Sequence, residues 1–211
     1  MIATRIRCFS VALRVVVAAA GAIAILIALC LQPPPAAEAG GTEFTLGFRP
    51  PQRDTPDDRT DPHYAASIDV LFGPSAWPVA IDAYLLASRD EYRRIVYTTG
   101  SPGSFPAEVW YVTVETGIGV RKTWPGRRIA PYVSGGLLYL TQISGQTYGT
   151  EDETYERGFG GWAGAGVLVP LTRSFHVGGS IRQSVAGLGD DSDGGGTQFG
   201  LTVGWGNLSP R

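Results

Sequence analysis

The sequence predicts an all-β fold: an eight-stranded antiparallel up-and-down transmembrane β-barrel preceded by a cleavable N-terminal signal helix. Three observations predict it. After residue 40 of the 211-residue chain, about eight segments alternate apolar and polar residues, the period that sends successive side chains to opposite faces of a strand. Their connections run long at residues 50–61, 89–105, 141–157 and 185–195, and short at Gly73–Pro78, Lys122–Arg128 and Pro170–Ser174. Tight turns at one end and long connections at the other are the form of a membrane-spanning strand meander. Finally, no apolar run after residue 40 is long enough for a transmembrane helix, so any spanning falls to strands.

Residues 1–39 read as a secretory signal peptide. Arg5, Arg7 and Arg14 form a basic start, Val15–Leu31 is a 17-residue apolar run, and Gln32-Pro33-Pro34-Pro35 breaks it. Ala37-Glu38-Ala39 then places small residues at −3 and −1 before Gly40, a cleavage pattern. An uncleaved single-span anchor is the other reading, since 17 residues approach the spanning length. Both cysteines, Cys8 and Cys30, lie in this segment. The exported part, 40–211, therefore has no disulfide and no thiolate metal site, and its stability must come from packing or from closing a sheet.

The strands follow in order. Near Glu43–Arg49, Phe44, Leu46 and Phe48 share a face. From His63 to Phe72, the set Tyr64, Ala66, Ile68, Val70 and Phe72 opposes Ala65, Ser67, Asp69 and Leu71. In Val79–Ser88, Val79, Ile81, Ala83, Leu85 and Ala87 oppose Ala80, Asp82, Tyr84, Leu86 and Ser88. Glu108–Arg121 sets Trp110, Val112, Val114, Ile118 and Val120 against Tyr111, Thr113, Glu115, Gly117, Gly119 and Arg121. Ile129–Leu140 is ambiguous in phase. Phe159–Val169 places Ala163, Ala165, Val167 and Val169 opposite Gly160, Trp162, Gly164 and Gly166. Phe175, Val177 and Ile181 oppose His176, Ser180 and Arg182, and Phe199, Leu201, Val203 and Trp205 oppose Gln198, Thr202 and Gly204.

Period alone is shared with a soluble barrel whose apolar face is inside. Aromatic placement favours the membrane. Phe72, Trp77, Trp124, Phe175 and Trp205 all fall beside short turns, so they make one ring, an interfacial girdle on the periplasmic side. Tyr64, Trp110, Tyr139 and Phe159 supply the opposite ring. The other face then points inward, where an eight-stranded barrel leaves room only for side chains. Asp69, Asp82, Glu115, Arg121 and Arg182 form its polar network, with Tyr84, Tyr111, Ser67 and Thr113 alongside. Charges there must be paired to offset desolvation, and a structural plug is the reading; a solute path or a working carboxylate pair is the sharper alternative.

No catalytic, cofactor or metal site is expected. His63 is followed by Tyr64 and Ala65 and His176 by Val177 and Gly178, so no serine follows either within two residues, and there is no Gly-x-Ser-x-Gly, His-Glu-x-x-His or phosphate loop. Gly187–Gly194 is acidic but lacks the spacing and final Glu of a calcium loop. A net charge of −2 without a basic stripe leaves no nucleic-acid footprint.

Thr116–Val120, Pro131–Leu137, Gly164–Val167 and the closing Phe199–Trp205 together resemble the small outer-membrane β-barrel superfamily that includes OmpA-like, OmpX/Ail-like and OmpW-like porins. The resemblance covers residues 42–206. It implies location in the outer membrane of a Gram-negative bacterium, contact with membrane lipid and lipopolysaccharide, insertion by the barrel-assembly machinery, and a monomer. The role expected is structural or surface-interacting, with a surface ligand at the acidic connections 50–61, 89–105, 141–157 and 185–195. The alternatives are a narrow solute channel, a lipid-modifying barrel enzyme, and a soluble lipocalin-like periplasmic binding barrel.

Overall fold

A computed structural model of the chain describes residues 40–50, 63–73, 77–97, 104–124, 126, 128–146, 154–188 and 193–206. The expected signal peptide at 1–39 lies outside the described residues. The barrel strands are β1 (Gly41–Arg49), β2 (His63–Phe72), β3 (Ala80–Tyr97), β4 (Ser104–Thr123), β5 (Ala130–Gln146), β6 (Thr154–Pro170), β7 (Phe175–Gly187) and β8 (Asp193–Gly206). Each pairs antiparallel with its sequence neighbours, and β1 pairs with β8, so the sheet closes in the order β1 to β8.

Register sets the barrel's dimensions. Stepping across paired residues from Gly41 leads through Leu71, Asp82, Gly119, Gly136, Trp162 and Ser184 to Gly196. Gly41 itself pairs with Gly206, ten residues further along β8. A ten-residue shear over eight strands, with ~3.3 Å per residue and ~4.8 Å between strands, tilts the strands by about 41° and gives a backbone radius of about 8 Å. Each residue then climbs roughly 2.5 Å along the barrel axis.

The apolar faces point outward. Leu46, Tyr64, Leu137, Phe159 and Leu201 are 71–84% exposed, while Asp82, Glu115, Arg121 and Thr202 on the other phase are fully buried. That inversion rules out the soluble lipocalin-like reading, whose apolar side chains would line the interior. On β2, Phe72 and Tyr64 are eight residues apart, and on β6 Val169 and Phe159 are ten apart. The outward band is thus about 20–25 Å tall, close to the ~25 Å of a membrane barrel.

The short connections are as tight as expected, at Gly73–Val79, Trp124–Ile129 and Leu171–Ser174. The last is held by Thr172: its Oγ1 accepts from the N–H of Ser174 and of Phe175, and Leu171 N donates to Phe175 O at 2.9 Å.

Three long connections need correction. Residues 89–105 are not a loop: β3 and β4 stay in register from Arg89↔Val112 to Tyr97↔Ser104, so the connection shrinks to 98–103. Likewise β5 and β6 consume most of 141–157, leaving 147–153, and β7 and β8 leave 188–192 of 185–195. The charges of Arg89–Arg94 suggested loop. Backbone pairing needs only a partner, however, and Tyr92, Ile95, Val96 and Tyr97 facing a β-rich partner strand favour it. With 18 and 20 residues, β3 and β4 are about twice the ~9–11 that span a membrane, so their hairpin projects beyond the band. Residues 51–62, 98–103, 147–153 and 189–192 of these connections lie outside the described residues.

Candidate functional site

The candidate site is the lumen, which fills in layers because inward positions alternate with outward ones along every strand. At the short-turn end, Ala130, Tyr132 and Leu168 form an apolar floor. This resolves the ambiguous fifth segment: Ala130, Tyr132, Leu138 and Leu140 face in, while Val133 and Leu137 face out.

Above the floor lies the lower charged layer, organised by Arg121. Its Nη1 donates to Glu43 Oε2 at 2.5 Å, its Nε to Asp82 Oδ2 at 2.9 Å and its Nη2 to Asp69 Oδ1 at 3.4 Å. Its guanidinium also lies 4.3 Å from the centre of the Tyr132 ring. His176 Nε2 and Glu43 Oε1 are 3.2 Å apart. Arg182 forms an ion pair with Asp69 and is stacked on Tyr84 at 4.1 Å and on Trp162 at 5.0 Å. Two cations therefore serve three carboxylates with a histidine at the edge. Buried guanidinium needs such multiple bonds, since unpaired charge in low dielectric is costly.

A second charged layer sits higher. Arg49 pairs with Glu115, and Ser184 Oγ donates to Glu115 Oε1 at 3.1 Å. Tyr84 Oη reaches Glu115 Oε2 at 3.4 Å. Around this layer, Tyr84, Leu86, Leu138, Leu140, Trp162, Ala186 and Leu188 form one apolar cluster. A cavity of about 10 Å³ beside Asp69, Arg182 and Gln198 has room for a single water.

The network expected from sequence is divided. Asp69, Asp82, Arg121 and Arg182 come together in the lower layer, whereas Glu115 belongs to the upper one. Sequence reasoning missed Glu43, Arg49 and His176. The signal was present: Glu43 and Arg49 share the phase of Thr45, opposite Phe44, Leu46 and Phe48, and His176 lies opposite Phe175 and Val177. Reading β1 only for its apolar face concealed them. Among the described residues, no three of His, Cys, Asp and Glu are grouped to hold a metal ion.

Aromatic residues mark both rims. Phe72, Trp77, Trp124 and Trp205 are 42–53% exposed at the short-turn end. Phe175 is half-buried there, 5.4 Å from Trp205 between ring centres. At the other rim, Tyr139 and Phe159 are 4.9 Å apart and Phe48 stacks on Phe199 at 5.5 Å. Trp110 does not join that rim: β4 carries it roughly 10 Å further out than Tyr64, by register and the rise per residue.

A family model described as outer membrane protein beta-barrel domain matches residues 22–206. The chain is similar to the solved neisserial surface protein A, with 8% identity, 82% of this chain and 97% of that chain covered, and a TM-score of 0.50. It is also similar to the N-terminal β-barrel domain of Pseudomonas aeruginosa OprF, at 17% identity, 80% and 98% coverage and a TM-score of 0.46. The corresponding values for Ail of Yersinia pestis, solved with the heparin analogue sucrose octasulfate, are 11%, 80% and 97%, and 0.49. No curated protein matches the chain. At these identities the likeness is one of fold.

Proposed function

Because the chain belongs to the outer-membrane protein β-barrel family, we propose that it is a sealed structural barrel whose work is surface interaction, carried by its outer connections and hairpins. It is an integral protein of the outer membrane. The observation that supports a sealed lumen is the apolar cluster of Leu86, Leu138, Leu140, Trp162, Ala186 and Leu188, packed around the upper charged layer, with Leu86 and Leu140 paired to Glu115 and Trp162 to Ser184. A channel needs a continuous wet path, and six inward apolar side chains interrupt it. In this reading, Asp69, Asp82, Glu115, Arg121 and Arg182, with Glu43, Arg49 and His176, are a structural plug rather than a reactive centre.

The girdle of Phe72, Trp77, Trp124, Phe175 and Trp205 sits at the periplasmic headgroup level, and the acidic connections face the cell exterior. The β3–β4 hairpin, standing above the apolar band, is the element best placed to meet a surface ligand. The barrel acts as a monomer among outer-membrane lipid and lipopolysaccharide.

Planar-bilayer recording of the refolded, heat-modifiable protein tests the seal: no steady single-channel current is expected, and a reproducible conductance would overturn it. For the surface role, cells displaying the intact barrel are compared with cells in which residues 90–111 are replaced by a short turn. Retention on a panel of immobilised proteins and polysaccharides should fall for the trimmed barrel. Equal retention across the panel sinks this part of the reading.

A further inference from the structure

The two ends of the barrel carry opposite charge. The outer connections 50–62, 98–103, 147–153 and 188–192 contain nine acids against two arginines. The short connections Gly73–Val79, Trp124–Ile129 and Leu171–Ser174 contain no acid at all. Lys122, the chain's single lysine, Arg128 and Arg173 gather at this second end instead, and Arg127, outside the described residues, adds a further cation to the same connection by sequence.

Their placement relative to the membrane band is specific. Arg121 points into the lumen, so Lys122, paired with Val133, points outward; it is half-buried, two residues before the exposed Trp124. Arg128 and Arg173 are exposed on turns that also present Ile129 and Leu171, 53% and 57% exposed. Backbone hydrogen bonds tie both turns to the rim: Trp124 N donates to Pro131 O at 2.9 Å, and Gly206 N to Ser174 O at 2.9 Å. Cations are therefore interleaved with aromatic and aliphatic side chains at the depth where a barrel meets headgroups. Such cations reach toward the interface on apolar stems.

We propose that the short-turn rim, through Lys122, Arg128 and Arg173, is a binding surface for anionic phospholipid headgroups of the phosphatidylglycerol class. Zwitterionic headgroups cancel most of the attraction, and the short connections themselves supply no acid to compete for the cations. In the cell, the placement of these lipids in the periplasmic leaflet rests on the orientation given under Proposed function. The lipid preference itself does not.

Brominated lipids test it, because Trp77, Trp124 and Trp205 face outward at this rim while Trp162 is buried in the lumen. The Trp110→Phe protein, which lacks the outer indole, is refolded into phosphatidylcholine vesicles holding brominated phosphatidylglycerol or brominated phosphatidylcholine. Quenching gives their relative affinity at the rim. About five-fold preference for phosphatidylglycerol is expected, the ratio to which ~1 kcal/mol for one surface cation against one headgroup converts. It should shrink in high salt and fall to about one in the K122Q/R128Q/R173Q variant, whose folding is checked by heat-modifiable migration. A ratio near one in the parent protein overturns the proposal, as does a preference that survives the triple substitution. Orientation is read separately, from Ser174→Cys and a membrane-impermeant maleimide on intact cells. Labelling from outside would refute the orientation and leave the lipid measurement standing.

Discussion

Replacing Arg121 by Met removes the centre of the lower charged layer while keeping a side chain of similar length. Three carboxylates lose a donor: Glu43 at 2.5 Å, Asp82 at 2.9 Å and Asp69 at 3.4 Å. They are not equally stranded. Asp69 keeps Arg182, and Glu43 keeps His176. Asp82, fully buried, accepts through Oδ2 from Arg121 and is left to carry charge without a hydrogen-bonded cation. Breaking a buried ion pair from one side costs about 3–5 kcal/mol, because the surviving charge stays desolvated. We expect about 4 kcal/mol here. At a urea dependence of roughly 2–3 kcal/mol per molar, the unfolding midpoint of the refolded barrel should drop by about 1.3–2 M.

The assay is urea unfolding in vesicles, followed by tryptophan emission and by the mobility shift between folded and unfolded forms. A companion variant separates charge from volume. In R121M/E43Q/D82N two of the three carboxylates are neutral amides and Asp69 keeps Arg182, so the penalty for stranded charge largely disappears and at least half of the lost midpoint should return. A midpoint for R121M within about 0.3 M of the parent would show that water or rearrangement compensates the layer, and the reasoning would fail. So would a triple variant no more stable than the single one.

Other outcomes follow from the same geometry. A Cβ on Gly117 would overlap the ring of Tyr84, so Gly117→Ala should cost about 1–3 kcal/mol of unfolding free energy, and adding Tyr84→Ala should recover part of it; additive losses would refute the overlap. Leu201 faces lipid near mid-band, so Leu201→Arg should cost about 2–4 kcal/mol, against about 0–1 for Tyr64→Arg at the outer rim; equal losses in urea unfolding would displace the band. Arg182→Lys keeps the charge beside Asp69 but gives up the planar stack on Tyr84 and Trp162. It should lower stability by about 1–2 kcal/mol and alter the near-UV circular dichroism of Trp162; an unchanged spectrum with unchanged stability would argue against the stack.

Much of the architecture was legible residue by residue. The phase of β2, β3, β6, β7 and β8 follows from alternation alone, because a strand flanked by lipid on one side and a packed lumen on the other cannot mix its faces. The short turns were readable too, since Pro, Gly and a capping Thr leave few other conformations. What failed was the length of β3 and β4. Arg89–Arg94 satisfies every compositional criterion for a loop, yet β3 and β4 pair on past the apolar band, where no lipid-facing side imposes alternation. In β5, inward Leu138 and Leu140 stand beside outward Leu137, so apolarity does not separate the faces.

By itself, the sequence determined which side chains share a face, where the chain turns tightly and that the two ends differ in charge. Those are local properties, set by a two-residue period and by turn chemistry. Only the tertiary structure decided which inward charges meet. Arg121 reaches Glu43 across 78 positions of sequence and Arg182 reaches Asp69 across 113. The reason is the ten-residue shear, which accumulates strand by strand and appears only when β8 returns to β1. Closure also brought Leu86, Leu140 and Leu188, from three separate regions of the chain, into one apolar cluster around Glu115.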